Sequence, residues 1–284
     1  MSSAIETLPK LDLARLFPSG IQQDELTATA TQMREAWQRE GVLHGEIIVD
    51  LRQWPDAEEA LRAIDAGLQP PDPETLWSYA IVGEIHAPWP ELIDIVRESE
   101  VRSFRGVLAS QEANLMTLGR FWDQARSAGW KRMVHAESAP QLKSAFSLGF
   151  ERLLGGTVLL REKELVAHLR AHRLPVLVSP SAQVAIQSVE SFAHHPIRRL
   201  TDAGLTTAIG SGYPTAHAQN LTAELDLLSR HHHFRLDDLR ALMARNVEAC
   251  WIAPDLRFGI ARMIESWRHR PHAVPAAKGD GWSL

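Results

Sequence analysis

The sequence predicts one (β/α)8 barrel with additional helices after the last strand. Short apolar segments typical of strands alternate with longer segments whose apolar residues have helical spacing, and eight such strands precede residue 210. The chain has 284 residues, of which 45% are hydrophobic, and this is enough for a single large core. We assign residues 1–270 to the barrel and residues 271–284 to a C-terminal tail.

The strand predicted at 131–138 lies at the centre of this pattern. It ends in His135 and Glu137, and residues two apart on a strand point to the same side. Helical segments flank it at 115–128 and 140–148, and each stops at a glycine, Gly129 and Gly149 respectively. In a parallel α/β architecture the chemistry lies at the carboxyl ends of the strands, so His135 and Glu137 are expected to share one cavity.

The remaining elements follow from periodicity and from glycine and proline positions. We expect the other strands at 8–16, 45–52, 76–84, 101–108, 151–155, 174–178 and 205–209. We expect the other helices at 25–39, 56–66, 90–98, 162–173 and 197–203, with residues 220–267 helical as well. Period-2 spacing places Asp12, Ala14 and Leu16 on one face of the first strand. It also places Asp50 and Arg52 on one face, where we interpret them as an ion pair inside the barrel.

Composition limits the classes of partner. A net charge of -5 argues against a nucleic-acid binder, because neutralising phosphates needs a basic surface. No apolar run approaches the ~20 residues of a membrane span, and the first residues do not resemble a signal peptide. The single Cys250 fits a reducing cytoplasm. We therefore expect a cytoplasmic protein that acts on a small molecule, and a homodimer is left open.

Eight short stretches at or near the strand ends form a set of motifs. They are LPKLDL at 8–13, DLR at 50–52 with Pro55, LASQE at 108–112, VHAE at 134–137, RLLGGT at 152–157, SPSA at 179–182, HPI at 195–197 and IGSGYP at 209–214. In the same order, these stretches resemble the motifs LPKxEL, ExR, LAGDE, VHAGE, RIGHGT, CPTSN, HPxxxLLDAG and INTDDP of the adenosine deaminase family, a group of metal-dependent barrel hydrolases. The resemblance covers almost the whole chain. The resemblance implies the same barrel fold.

The resemblance implies different chemistry when it is transferred residue by residue. The family holds zinc with an HxH pair, the histidine of HAGE and the first aspartate of DDP. These positions are Ala14, Leu16, His135 and Gly212 here. A catalytic zinc needs about three protein ligands, so we expect the usual zinc site, and any other cofactor, to be absent. A further histidine of the family, which lies near the zinc without binding it, aligns with Gly155.

Three residues are the candidate catalytic groups: Glu137, His135 and Tyr213. The family's proton-donating glutamate aligns with Ser138, but a slip of the turn would let Glu137 fill its space. A carboxylate in a partly apolar cavity can have a raised pKa suited to proton transfer, which we expect for Glu137. Tyr213 replaces an acidic residue of the DDP turn, and its phenol can donate to an oxyanion. For His135 and Tyr213 a purely structural role is equally open.

Nine further polar residues are expected around the substrate, near the carboxyl ends of the strands. They are Asp12, Asp50, Arg52, Glu84, His86, Ser110, Ser179, Ser181 and Ser211.

Three hypotheses follow. The favoured one is a repurposed metal-independent enzyme doing acid-base chemistry, such as a cyclisation, dehydration, isomerisation or hydrolysis, on a polar small molecule, with a nucleoside-like compound as one candidate. The second is a non-catalytic descendant that binds a ligand or a partner protein. The third is a zinc-dependent deaminase with substitute ligands such as Asp12, His86 and His135.

Overall fold

A computed structural model describes residues 2–72, 77–216 and 218–268. Eight parallel strands form one sheet in which each strand pairs with its neighbour in the chain. The strands are β1 (Lys10–Leu16), β2 (Val42–Val49), β3 (Ser78–Ile85), β4 (Phe104–Ala109), β5 (Lys131–Ala136), β6 (Arg152–Gly155), β7 (Val176–Val178) and β8 (Thr207–Ile209).

The last and first strands meet just beyond β8. The Gly212 amide donates to the Ala14 carbonyl at 2.7 Å, and the Leu16 amide donates to the Gly212 carbonyl at 2.8 Å. Asn246 also joins the two strands, since its side-chain amide donates to the carbonyls of Leu11 and Ile209, each at 2.7 Å. The predicted single-domain (β/α)8 barrel with additional C-terminal helices is therefore confirmed.

Helices surround the sheet and continue after β8. They are α1 (Ser2–Thr7), α2 (Leu26–Arg39), α3 (Ala57–Leu68), α4 (Leu92–Ser99), α5 (Gly119–Ser127), α6 (Ala139–Leu148), α7 (Lys163–Ala171), α8 (Pro180–Ala185), α9 (Ile197–Asp202), α10 (Leu221–His232), α11 (Leu236–Ala249) and α12 (Pro254–Ser266). Within the described ranges no helix is both long and apolar enough to cross a membrane. The predicted tail at 271–284 lies outside the described residues.

Local sequence explains why these helices form where they do, as α3 illustrates. Asp56 caps it by accepting a hydrogen bond from the Glu59 amide at 2.9 Å. Its buried residues Leu61, Ile64 and Leu68 recur at three- and four-residue spacing, so one apolar stripe faces the core. The Asp56 cap therefore stabilises the start of α3, and the apolar stripe packs this helix against the barrel.

An irregularity in β1 changes which side chains share a face. The pairing of β1 with β2 shifts register between Asp12 and Arg15. Asp12 consequently faces Trp37 of α2 and accepts a hydrogen bond from its indole nitrogen at 2.8 Å, whereas Ala14 and Leu16 line a cavity at the barrel mouth. The prediction that all three share one face is wrong, because a bulge breaks period-2 alternation.

A buried ion pair occupies the other end of the barrel interior. Arg152 on β6 pairs with Glu46 on β2, and both side chains are fully buried. The Arg152 guanidinium lies 3.9 Å from the centre of the Trp251 ring and donates to the Ala249 carbonyl at 3.1 Å. The Trp251 amide donates to Glu46 at 2.7 Å. The segment after α11 is thus joined to the floor of the barrel.

Candidate active site

A cavity of about 390 Å³ opens at the carboxyl ends of the strands. Its wall is mostly apolar, and the apolar part includes Leu16, Ile48, Leu108, Leu154 and Ile186. The groups able to do chemistry in it are Glu84, Glu112, His135, Glu137, Ser179 and Tyr213. An apolar enclosure with a few convergent polar groups is typical of a small-molecule site.

His135 and Glu137 face this cavity together, as the spacing on β5 predicts. The two side chains approach to 3.6 Å between His135 Nε2 and Glu137 Oε1. Thr157 donates to Glu137 Oε2 from its hydroxyl at 2.7 Å and from its amide at 3.3 Å, and Gln183 Nε2 donates to Oε1 at 2.7 Å. Glu137 is therefore a fixed carboxylate beside an imidazole.

The electrostatics of Glu137 differ from the expectation. Burial raises its pKa, but the neighbouring His135 and the hydrogen bonds from Gln183 and Thr157 together outweigh burial and leave the pKa below the usual value. The expected raised pKa of Glu137 is wrong, because these donors stabilise the ionised form. A carboxylate of this kind is suited to orienting His135 and poorly suited to carrying a proton.

A second histidine extends this hydrogen-bond chain away from the cavity. The Ile197 amide donates to His195 Nδ1 at 3.2 Å, so His195 Nε2 carries the hydrogen that meets Gln183 Oε1 at 2.9 Å. Burial lowers the pKa of His195 to about 3, which keeps it neutral. A chain of contacts thus links the start of α9 to the cavity, and it runs through His195, Gln183, Glu137 and His135.

Glu84 on β3 lines the cavity and has a raised carboxyl pKa. Burial is the largest cause; the carboxylates of Asp50 and Glu112 raise the pKa further, while His86 and His135 lower it. No described residue donates a hydrogen bond to the Glu84 side chain, and this absence distinguishes it from Glu137. Glu84, expected only to contact substrate, is thus the lining carboxyl group with the property sought for proton transfer.

Ser110, His86 and Asp50 form a connected group beside the cavity. Ser110 Oγ lies 2.8 Å from His86 Nδ1, and His86 Nε2 lies 3.4 Å from Asp50 Oδ2. Ser110 is 4% exposed and does not line the cavity, so this group holds His86 near Glu84 and does not present a nucleophile.

Arg52 does not form the expected internal ion pair with Asp50. Asp50 Oδ1 accepts a hydrogen bond from the Arg52 backbone amide at 3.1 Å. The guanidinium instead lies 4.7 Å from the centre of the Trp89 ring and donates to the Pro88 carbonyl at 3.3 Å. The interpretation of these two residues as barrel-interior ions is wrong, because Asp50 caps a short turn of helix and Arg52 reaches outward to an aromatic ring.

The remaining predicted serines lie in different surroundings. Ser181 is fully buried and bonds to Glu224 through its hydroxyl and its amide. Ser211 donates to Asp12 from its amide at 2.7 Å and from its hydroxyl at 2.6 Å. Ser181, Ser211 and Asp12 do not line the cavity. Ser179 does line it, and its buried Oγ has no hydrogen-bond partner among the described residues.

Tyr213 lines the cavity as expected. It is half-buried, and its hydroxyl donates to the Ala182 carbonyl at 3.4 Å. Burial raises its pKa, so the phenol stays protonated at neutral pH and keeps its hydrogen for donation.

Sequence reasoning gave no role to Thr157, Gln183 or His195. Thr157 and His195 lie in stretches that resemble family motifs, and this was the one signal that pointed to them. Gln183 follows the SPSA stretch directly. Its side chain bonds to Ser179, His195 and Glu137, and because the contact with Glu137 spans 46 residues, spacing alone does not reveal it.

The structure is a parallel (β/α)8 barrel whose cavity gathers polar groups at the carboxyl ends of the strands. A family profile described as adenosine deaminase matches residues 90–267. The chain belongs to the adenosine deaminase family.

Individual relatives agree with this assignment. The adenosine deaminase of Clostridium kluyveri is 30% identical over 135 residues, which are 46% of this chain and 39% of that enzyme's length. The adenine deaminase of Rhodopseudomonas palustris is 22% identical over 261 residues, 87% of this chain and 76% of that enzyme. An amidohydrolase from Burkholderia ambifaria, solved with bound zinc, superposes with a TM-score of 0.82 at 17% sequence identity. The superposed region covers 93% of this chain and 92% of the amidohydrolase chain.

Proposed function

We propose that this protein is a metal-independent acid-base enzyme of the adenosine deaminase family, acting on a polar small molecule in the barrel-mouth cavity. One observation carries the proposal. Glu84, a carboxyl group with a raised pKa and no hydrogen-bond donor among the described residues, lines the same cavity as the His135 and Glu137 pair. A proton-transferring group and an oriented imidazole are the elements that such chemistry needs.

The donor set supports chemistry without the family's zinc. Ala14, Leu16 and Gly212 line the cavity at the positions that resemble family ligands, and none has a side chain that coordinates metal. Within the described ranges, His, Cys, Asp and Glu side chains form no group of three or more suited to a metal ion. The residues present do not fit a catalytic zinc, which needs about three protein ligands.

In the proposed mechanism each residue has a separate task. Glu84 exchanges a proton with the substrate, because its raised pKa brings it closer to neutral pH. Glu137 stays ionised and fixes the orientation of His135, which accepts or donates the second proton. Tyr213 supplies a neutral donor to an oxygen that becomes negative during the reaction.

The zinc alternative with substitute ligands has less support. Asp12 is fully buried and accepts three hydrogen bonds, one from Trp37 and two from Ser211. It does not line the cavity, so it cannot join His86 and His135 around one ion there without breaking those bonds.

The test measures metal content and activity on the same full-length protein. After dialysis against a chelator, the protein is assayed for product formation and ammonia release with amine-bearing nucleosides and bases. We expect activity to survive chelation, to fall at least about 100-fold, or 2.7 kcal/mol of activation free energy, in Glu84→Gln and in His135→Asn, and to be unchanged in the exposed control Glu98→Gln.

Two results would overturn the proposal. Stoichiometric zinc whose removal abolishes turnover would restore a metal mechanism. Equal activity of Glu84→Gln and the wild type would show that Glu84 takes no part in the chemistry. If neither shows any turnover, the alternative of a non-catalytic binding protein is favoured.

A further inference from the structure

The ionisable groups that line the cavity are mostly acidic. Glu84, Glu112 and Glu137 contribute carboxyl groups, and His135 is the one lining side chain among the described residues that can carry positive charge. No Lys or Arg lines the cavity within the described ranges. A phosphate or carboxylate would be repelled by these carboxyl groups with no lining Lys or Arg among the described residues to offset the repulsion, so a neutral or cationic ligand is favoured.

The lining carboxyl groups differ in whether they are already satisfied. Glu137 accepts from Thr157 and Gln183 and is 8% exposed. Glu84 is half-buried and accepts no hydrogen bond from any described residue. A partly desolvated carboxyl group of this kind gains most from an N–H donor that arrives with a ligand.

Ser179 provides a second and independent indication of a polar ligand. It is 5% exposed and lines the cavity, and its Oγ has no partner among the described residues. A Cβ added at Gly212 would lie 3.3 Å from this oxygen, so the hydroxyl lies at the point where the resemblance places a metal-binding aspartate. A buried hydroxyl without a partner is unfavourable, and a polar group of a ligand would supply the missing hydrogen bond.

The rest of the wall suits an apolar body. Leu16, Ile48, Leu108 and Leu154 line the cavity, and Ile186 lines it while remaining 45% exposed. We propose that the cavity binds an organic cation of the protonated amine or amidine class, carried on an apolar or aromatic body, with its N–H groups toward Glu84 and a further polar group toward Ser179. This inference rests on the proposed function only in placing the ligand in this cavity.

The test compares three probes of similar size and shape that differ in charge. Benzamidine is cationic, benzyl alcohol is neutral and benzoate is anionic. Isothermal titration calorimetry near neutral pH, with full-length protein, is expected to show benzamidine binding at least about tenfold more tightly than benzyl alcohol, with benzoate the weakest.

Substitutions then test which side chains bind the cationic probe. Glu84→Gln is expected to weaken benzamidine binding by about tenfold or more while leaving benzyl alcohol unchanged. Ser179→Ala tests the hydroxyl with a ligand that adds a second polar group, 4-hydroxybenzamidine, whose advantage over benzamidine should disappear. Glu98→Gln, exposed on α4, is the matched control, and circular dichroism confirms that each variant is folded.

Several outcomes would overturn the inference: benzoate binding as tightly as benzamidine, no benzamidine binding at millimolar concentration, or equal benzamidine affinity in Glu84→Gln and Glu98→Gln. The assay measures equilibrium binding without turnover. A protein that binds benzamidine but catalyses nothing would therefore contradict the proposed function alone, and an active protein that prefers benzoate would contradict this inference alone.

Discussion

The carboxylate of Glu137 occupies the space that a side chain at Gly155 would need. A Cβ built on Gly155 would lie 2.6 Å from Glu137 Oε1, and Gly155 has a φ of +94°. The family motif that resembles residues 152–157 has a histidine at this point. This barrel therefore has a carboxylate from the end of β5 where the motif would place an imidazole from the end of β6, and any side chain at position 155 would require the Glu137 carboxylate to move.

Gly155→Ala tests this exclusion. The added methyl group must displace the Glu137 carboxylate and also accept a left-handed backbone, so we expect the free energy of unfolding to fall by about 2–4 kcal/mol. Urea denaturation measures the loss. Gly119→Ala is the matched control, because a Cβ there meets nothing within 4 Å and should change stability by less than about 1 kcal/mol. Equal stability of the two variants would show that the space is not restricted.

Gln183→Leu tests the chain from His195 to Glu137. The substitution removes the donor to Glu137 and leaves the His195 Nε2 hydrogen without its acceptor. We expect a loss of about 2–4 kcal/mol in the free energy of unfolding near neutral pH, measured by urea denaturation.

The same variant should change the titration of Glu137. A depressed folded-state pKa adds stability above the ordinary carboxyl pKa, and that stability is lost as pH falls through the folded pKa. Without Gln183 the Glu137 pKa should rise, so the acid-induced loss of stability begins at higher pH. Gln32→Leu, exposed on α2, should show neither effect, and an unchanged acid limb in Gln183→Leu would contradict the assigned hydrogen bond.

Glu224 makes stability depend on pH in the opposite direction. Burial raises its pKa from 4.5 to about 7 despite hydrogen bonds from Ser181. Because the folded-state pKa is raised, the stabilisation is complete below 4.5 and is lost as pH rises through 7. Glu224→Gln, which stays neutral, should be about 2–3 kcal/mol more stable than the wild type at about pH 8, with little difference at about pH 5.

Thermal denaturation across this pH range, with Glu98→Gln as the exposed control, measures the effect of Glu224. A constant difference between Glu224→Gln and the wild type at every pH would show that Glu224 does not titrate in this window.

Arg152→Met tests the buried ion pair in the barrel floor. Removing Arg152 leaves Glu46 fully buried without its cation, and we expect a loss of about 3–5 kcal/mol in the free energy of unfolding. The double variant with Glu46→Gln removes the uncompensated charge and should recover part of that loss. Arg62→Met breaks an exposed pair with Glu58 and should cost less than about 1 kcal/mol. Additive losses in the double variant would show that Arg152 and Glu46 do not interact.

The alternation of strands and helices was predictable because it is a local property of the chain. Apolar runs and glycine stops placed each predicted strand within a few residues of its observed position, β5 at Lys131–Ala136 among them. The six-residue helices α1 and α8 were missed because so short a stretch shows little helical periodicity, whereas the equally short α9 was found because Gly204 marks its end.

The site was less predictable because its properties come from contacts between distant segments. The Glu137 pKa depends on donors at positions 157 and 183, contributed by the turn after β6 and by helix α8. The location of Asp12 depends on a bulge in β1, which reverses the parity that spacing alone assigns. That His135 and Glu137 point to the same side could be predicted from the alternation of side chains along β5, whereas their protonation states could not.

The contact between Trp251 and the barrel floor bears on how the chain folds during synthesis. Because the Trp251 amide donates to Glu46 and its ring covers Arg152, the floor cannot be completed until residue 251 has left the ribosome. In nascent chains that end soon after β8, the interior would be unfinished, and the Arg152 and Glu46 side chains would lack the cover that Trp251 provides. The helices beyond β8 thus act as the closing step of assembly, and shortened versions of the protein that end before Trp251 should be recovered as aggregates.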